Sequence, residues 1–251
     1  MDRLTLITAC IPPCRRLIDI GSDHATVPLS LLRNGTCEGV LITDLNEGPI
    51  EVARLRVEAA GFTYACRFLQ TDGLDDVDPV EGDVLLISGL GGENIARIIE
   101  RGIDKLSLFK RLILQPQTKE NKLRETINRL PLSLLDEIVA VEDRRLYVVM
   151  ICDFSKNAAD DPISEIQIEF GPKIMERIGS LLRISSRKTE NCADARTALK
   201  RLSADDAIVP IDRSRIAYVQ SKYDKIARRA RYHQRDRQLL ESFDRWIFNH
   251  I

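Results

Sequence analysis

Asp19, Asp44 and Asp72 close or follow three successive apolar runs, Leu17–Gly21, Gly39–Leu45 and Tyr64–Leu69. Acids at the carboxyl ends of neighbouring strands are placed to hold a polar ligand, and an acid after the second strand can accept from both hydroxyls of a ribose. Asp72-Gly73 is placed to accept from an adenine amino group. The loop after the first run, Asp19-Ile-Gly-Ser-Asp-His-Ala25, keeps only Gly21 of the dinucleotide fingerprint G-x-G-x-x-G, and Asp23 stands at its second glycine. A carboxylate there repels a pyrophosphate, which disfavours NAD or FAD. It attracts a sulfonium amino acid, whose ammonium and sulfur are both cationic. Gly21, Ser22 and Leu45 border the same expected site. After a fourth run, Asp83–Ser88, come Gly89-Leu90-Gly91-Gly92, where three glycines let a ligand approach the backbone or simply make a tight turn into a helix.

No metal site is expected. The six cysteines, Cys10, Cys14, Cys37, Cys66, Cys152 and Cys192, include no C-x-x-C pair, and the three histidines, His24, His233 and His250, are scattered. Buried or inert thiols are the expectation, without disulfides.

The elements that must position these residues alternate. Helical patterns at Pro28–Asn34 and Pro49–Ala60 separate the first three runs, 93–106 separates the fourth from a fifth, Arg111–Gln115, and Lys119–Leu130 follows it. Strand–helix alternation predicts a parallel sheet with helices on both faces. Leu132–Val141 and Leu146–Phe154 are joined by only Glu142-Asp143-Arg144-Arg145, too short for a crossover helix, so they should form an antiparallel hairpin. The expected class is thus α/β, a Rossmann-like methyltransferase sheet of parallel strands closed by a terminal hairpin. A polar stretch at 155–162 reads as a linker. Residues 163–251 show no strand, a helical pattern through Ile174, Ile178, Leu181 and Leu182, and a second from about Arg213 to Phe248, with breaks at Gly171-Pro172 and Val209-Pro210. Two domains follow: 1–155, holding the ligand site, and 156–251, helical.

The net charge of −1 hides an asymmetry. Residues 156–251 carry 19 Lys/Arg and 14 Asp/Glu, a net of +5, against 18 and 24 in residues 1–155, a net of −6. Between 213 and 237 nine basic residues meet two acids, with Tyr218, Tyr223, Tyr232 and His233 interleaved. A charge run is usually a solvated helix face, but this density with aromatics favours contact with an RNA backbone, through Arg228, Arg229 and Arg231 among others. No run approaches 18 apolar residues and the N-terminus lacks the apolar core of a signal peptide, so a cytoplasmic protein without membrane contact is expected.

Several motifs occur together: Asp-Ile-Gly-Ser-Asp-His-Ala at 19–25, Gly48-Pro49, Asp72-Gly73-Leu74, Gly89-Leu90-Gly91-Gly92, Arg111-Leu-Ile-Leu-Gln-Pro116, and Glu142-Asp143 with Tyr147-Val148. In this order they resemble the bacterial tRNA (adenine-22-N1)-methyltransferase family, over roughly residues 1–155. The resemblance implies a class I methyltransferase domain followed by a helical, coiled-coil-like domain, S-adenosyl-L-methionine as cofactor and tRNA as substrate. It implies cofactor contacts from Asp19, Gly21, Ser22, Asp23, Asp44, Leu45, Asp72, Gly73 and Ser88–Gly92, and substrate contacts from Gln115 and Pro116. Asp23 and His24 are the candidates beside the reacting groups, with a structural role for His24 equally open. The chain departs from the family pattern at Asp44 (usually Glu), Leu90 (usually Met) and Thr26-Val27 (usually Tyr-Leu). The remaining alternatives are a methyltransferase for another RNA nucleotide or a small molecule, and a non-catalytic RNA- or nucleotide-binding module.

Overall fold

A computed structural model describes residues 1–22, 24–155, 163–185, 192 and 194–250. The chain divides into two compact units, Met1–Asp136 with Ala140–Pro162, and Glu137–Val139 with Ile163–Ile251.

The first unit is built on strands β1 (Cys14–Ile20), β2 (Cys37–Asp44), β3 (Cys66–Gln70), β4 (Asp83–Leu90), β5 (Phe109–Pro116), β6 (Leu132–Glu142) and β7 (Arg145–Phe154), in the order β3-β2-β1-β4-β5-β7-β6. β3 to β5 pair in parallel, and β7 runs antiparallel to β5, with Leu114 opposite Met150. The central strands are apolar on both faces: Leu17, Ile18, Val84–Ile87, Leu112–Leu114 and Val148–Met150 are all buried, as a sheet covered by helices on both sides requires. Those helices are α1 (Arg3–Cys10), α2 (Thr26–Arg33), α3 (Glu47–Ala59), α4 (Gly92–Arg101) and α5 (Glu120–Arg129). The strand order reverses between β1 and β4, and ligands bind at such a switch point beyond the strands' carboxyl ends.

Three details differ from expectation. No helix is expected ahead of β1, yet Arg3–Cys10 forms α1, which Asp2 caps by accepting from the Thr5 N–H at 2.9 Å. The expected helix 93–106 ends at Arg101, and a 3₁₀ turn, Ile103–Leu108, follows. Gly102 lies so close to Leu74 and the Ile98 carbonyl that a side chain there would collide with Leu74, and the Lys105 ammonium donates to the Leu74, Asp75 and Val77 carbonyls at 2.6–2.8 Å. The β6–β7 turn places both Asp143 and Arg144 at positive φ (47° and 63°) without a glycine. That backbone matches the twist of a two-residue hairpin, and Asp tolerates it better than most residues.

The second unit is helical: α6 (Glu165–Phe170), α7 (Pro172–Ile184), α8 (Ala195–Ser203), α9 (Pro210–Arg229) and α10 (Gln234–Phe248). Ser164 and Gln167 form a reciprocal capping box at α6, and Gly171 at φ 95° turns the chain into α7. The expected break at Val209-Pro210 puts Pro210 in the first turn of α9. The helical stretch expected from about Arg213 to Phe248 forms two helices, divided at Ala230–His233. Arg237 Nε closes the break by donating to the Ala230 carbonyl at 2.8 Å. Phe170 stacks on Phe243 at 4.1 Å, with Trp246 beyond it, and forms the core. Asp212 is almost wholly buried and held by Arg177, at 2.6–3.1 Å, and Arg215, at 3.0 Å.

Candidate active site

Two adjoining cavities, of about 370 and 440 Å³, open at the carboxyl ends of β1, β2 and β4 and share Gly21, Asp44, Asn46 and Leu90. Each strand hands its last residues to a turn shaped for a ligand. After β1 the Gly21 and Ser22 N–H groups both donate to the Thr43 carbonyl, at 2.9 and 3.1 Å, so the loop folds over the end of β2. Gly21 does this at φ 75°, and Gly89 in β4 sits at φ 82°, conformations that cost glycine nothing.

The first cavity collects Gly21, Asp44, Leu45, Asp72, Gly73 and Leu90 with one face of α4, Asn94, Arg97, Ile98 and Arg101. Asp44 Oδ1 accepts from the Asn46 N–H at 2.9 Å in the turn that precedes α3, which leaves Oδ2 for a ligand hydroxyl. Leu45 is exposed, an apolar surface over which a flat base can lie. Asp72 accepts from Arg101 Nη1 at 2.7 Å, and Arg101 also pairs with Asp75. Asp72 is thereby oriented, with lone pairs to spare for an amino group.

The second cavity is lined by Asp19, Ser22, His24, Ser88, Gly89 and, unforeseen, Arg3 and Gln117. Asp19 is almost fully buried, and burial pushes its carboxyl up to about 6 against a lowering hydrogen bond from Ser22. A buried carboxylate whose partner among the described residues is neutral is suited to a cation arriving from outside.

Other expected residues fall elsewhere. Gly91 caps α4 and Gly92 opens it, packed under the Thr118 and Lys119 carbonyls, and neither is among the residues lining these two cavities. Gln115 and Pro116 are buried behind the site, where Gln115 accepts from Arg3 Nη1 at 3.1 Å and donates to the Pro116 carbonyl at 2.7 Å. The residue of that segment facing the cavity is Gln117. Asp23 lies outside the described residues. Among the described residues no group of three His, Cys, Asp or Glu side chains is placed to hold a metal ion, and no helix is long and apolar enough to cross a membrane.

Of the basic residues between 213 and 237, most are engaged internally. Arg229 pairs with Asp236, Arg235 with Glu165 and Lys222 with Glu169, while Arg213 and Arg237 bind carbonyls. Lys225, Arg228 and Arg231 are exposed and have no partner among the described residues, and Tyr232 beside them is 82% exposed.

A parallel sheet in this order, closed by an antiparallel hairpin, with acids and glycines at the switch point, defines a class I methyltransferase. A profile described as "Methyltransferase domain" matches residues 1–150. The tRNA (adenine(22)-N(1))-methyltransferase of Bacillus subtilis (strain 168) is 36% identical over 163 residues, 64% of this chain and 68% of the relative. The crystal structure of the B. subtilis M1A22 tRNA methyltransferase TrmK superposes with a TM-score of 0.65 at 26% identity, covering 99% of this chain and 97% of that one. That of Streptococcus pneumoniae Sp1610 in complex with S-adenosyl-L-methionine gives 0.65 at 25%, covering 89% and 99%. The chain belongs to the tRNA (adenine(22)-N(1))-methyltransferase family.

Proposed function

We propose that the protein transfers the methyl group of S-adenosyl-L-methionine to N1 of adenine 22 in tRNA. One observation carries the reading to the site: two joined cavities at the switch point, one with acids spaced for a nucleoside, the other with a buried acid suited to a cation. Asp44 would take the ribose hydroxyls, Asp72 and Leu45 the adenine of the cofactor, and Asp19 with Ser22 its amino-acid end. When bound, the cofactor supplies an electrophilic methyl on a cationic sulfur.

The chemistry asks the chain for placement more than for acid–base work. Adenine N1 offers an in-plane lone pair and is unprotonated at neutral pH, so no general base is required. Ser88, Gly89 and Leu90 form the wall along which the base must lie with N1 in line with the methyl, and holding that geometry is the main catalytic contribution. N1 is on the pairing edge, so the nucleotide must enter unpaired. Positive charge leaves the sulfur and reappears on the base, so carboxylates that favour the bound cation continue to favour the product. Asp23 and His24 are proposed beside the reacting groups. Lys225, Arg228 and Arg231 are proposed to meet the tRNA backbone, with the helical domain as the tRNA-binding half and the cytoplasm, where tRNA is found, as its location.

Mass spectrometry of nucleosides from tRNA incubated with the protein and labelled cofactor tests the reaction. Label in N1-methyladenosine, abolished when adenine 22 is replaced by guanine, is expected. Label at another nucleotide, or none, would overturn the assignment.

A further inference from the structure

Arg3 is held on three sides at the wall of the second cavity. Its Nη1 donates to Gln115 Oε1 at 3.1 Å, its Nε faces Glu142 Oε2 at 3.4 Å, and its guanidinium carbon lies 5.6 Å from the centre of the Tyr147 ring. Gln115 is itself fully buried and tied to the Pro116 carbonyl, so the oxygen that anchors Arg3 is fixed in turn. A Cβ on Gly89 would stand 4.0 Å from Nη1, which sets the guanidinium against the stretch where the target base is proposed to lie. Nη2 has no partner among the described residues, and the side chain remains 20% exposed. The carboxylates of the same cavity, Asp19 and Asp44, suit cationic and hydroxyl groups. A planar cation built among them, with a free edge, suits the opposite sign, because the guanidinium fork matches a carboxylate or a phosphate.

We infer that Arg3 is an oxyanion-binding residue of this cavity, receiving a carboxylate or phosphate on its Nη2 edge. The inference rests on the proposed reaction for its ligands. Two oxyanions come to this place in that reaction: the amino-acid carboxylate of the cofactor and a backbone phosphate next to the target nucleotide.

The test uses the full-length protein and three probes. S-adenosylhomocysteine carries the carboxylate, 5′-methylthioadenosine is the same nucleoside without the amino acid, and tRNA carries the phosphates. Arg3→Gln should lose at least tenfold in affinity for one oxyanion-bearing probe while binding 5′-methylthioadenosine as wild type does, and Arg3→Lys should recover part of the loss. A loss confined to S-adenosylhomocysteine assigns the cofactor carboxylate. A loss confined to tRNA, with the log–log salt slope shallower by roughly 0.7–0.9, assigns a phosphate. Unchanged binding of all three probes overturns the inference, as does an equal loss for all three, which would make Arg3 a tie that merely holds α1. Should Arg3→Gln not fold, Glu142→Gln serves instead: with the competing carboxylate gone, the oxyanion-bearing probe should bind several-fold tighter, and unchanged or weaker binding overturns the inference. Wild-type protein that binds S-adenosylhomocysteine but leaves adenine 22 unmethylated would sink the proposed function, and the S-adenosylhomocysteine arm would still decide Arg3.

Discussion

Asp19 and Asp212 are both nearly inaccessible to water, and their surroundings treat them in opposite ways. Burial raises both carboxyls, but at Asp212 the hydrogen bonds of Arg177 and Arg215 outweigh it and hold the group below the usual carboxylate range. At Asp19, among the described residues, Ser22 alone opposes burial, and the carboxyl stays at about 6. A buried acid whose charge is answered inside the chain belongs to the fold. One left without an internal cation marks a place where a cation is to be brought in.

Removing Asp212 should have the largest effect. Asp212→Ala removes the carboxylate that two guanidinium groups share, one of them, on Arg215, almost buried, and breaking a buried pair costs about 3–5 kcal/mol. A thermal melt should show a large fall in Tm, and a fall of only a degree or two would mean that solvent replaces the pair. Asp19→Asn should act in the reverse direction. Because its folded value is raised from 3.8 to about 6, Asp19 adds stability below about pH 4 that is lost as pH rises through 6. At pH 7.5 the asparagine variant should therefore be more stable, by up to about 3 kcal/mol, yet bind S-adenosyl-L-methionine more weakly. Wild-type affinity should decline as pH falls below 6 and that of the variant should not. Parallel pH profiles in calorimetry would remove Asp19 from the site.

Asp44→Ala should weaken cofactor binding by about 1.5–3 kcal/mol, the worth of hydrogen bonds to a charged acceptor, with little change in Tm because Asp44 holds only one exposed turn hydrogen bond, from the Asn46 N–H. Equal affinity would mean that another group holds the ribose. The smallest effects extend the comparison to cations. Replacing Arg228 and Arg231 by Ala should flatten the salt dependence of tRNA binding by roughly 0.7–0.9 per lost phosphate contact. Arg229→Ala should do less, since Arg229 already answers Asp236. Equal slopes for both would mean that internal pairing does not decide which arginines meet RNA.

The sheet was legible because its strands are short apolar runs ending at acids or glycines, and the hairpin because four residues cannot hold a crossover. The acids Asp19, Asp44 and Asp72 could be placed because strand ends converge at a switch point. Other features were less visible. Arg3 belongs to a helix whose only strong signal is its Asp2 cap, and its partners lie 112 and 139 residues away. Asn94, Arg97 and Arg101 repeat with helical spacing behind the glycines, a polar stripe that points to a cavity only once its wall is known. Gln115 and Pro116 are expected at the site only through the motif they belong to; both are buried, and the chain leaves β5 after Pro116, so that Gln117 reaches the cavity. In the basic segment composition counted nine charges, while pairing, which depends on tertiary contacts, leaves three of them without a partner among the described residues.

The position of β7 between β5 and β6 bears on how the chain is made. β5 is apolar at its centre, Leu112–Leu114, and the partner of its outer edge, Met150 against Leu114, emerges only as the second strand of the hairpin is synthesised. Until then a nascent chain exposes an unpaired, hydrophobic strand edge, a template for wrong pairing. The hairpin therefore protects the sheet during synthesis as well as completing it, and fragments ending before Phe154 should aggregate even though they contain every residue that lines the two cavities.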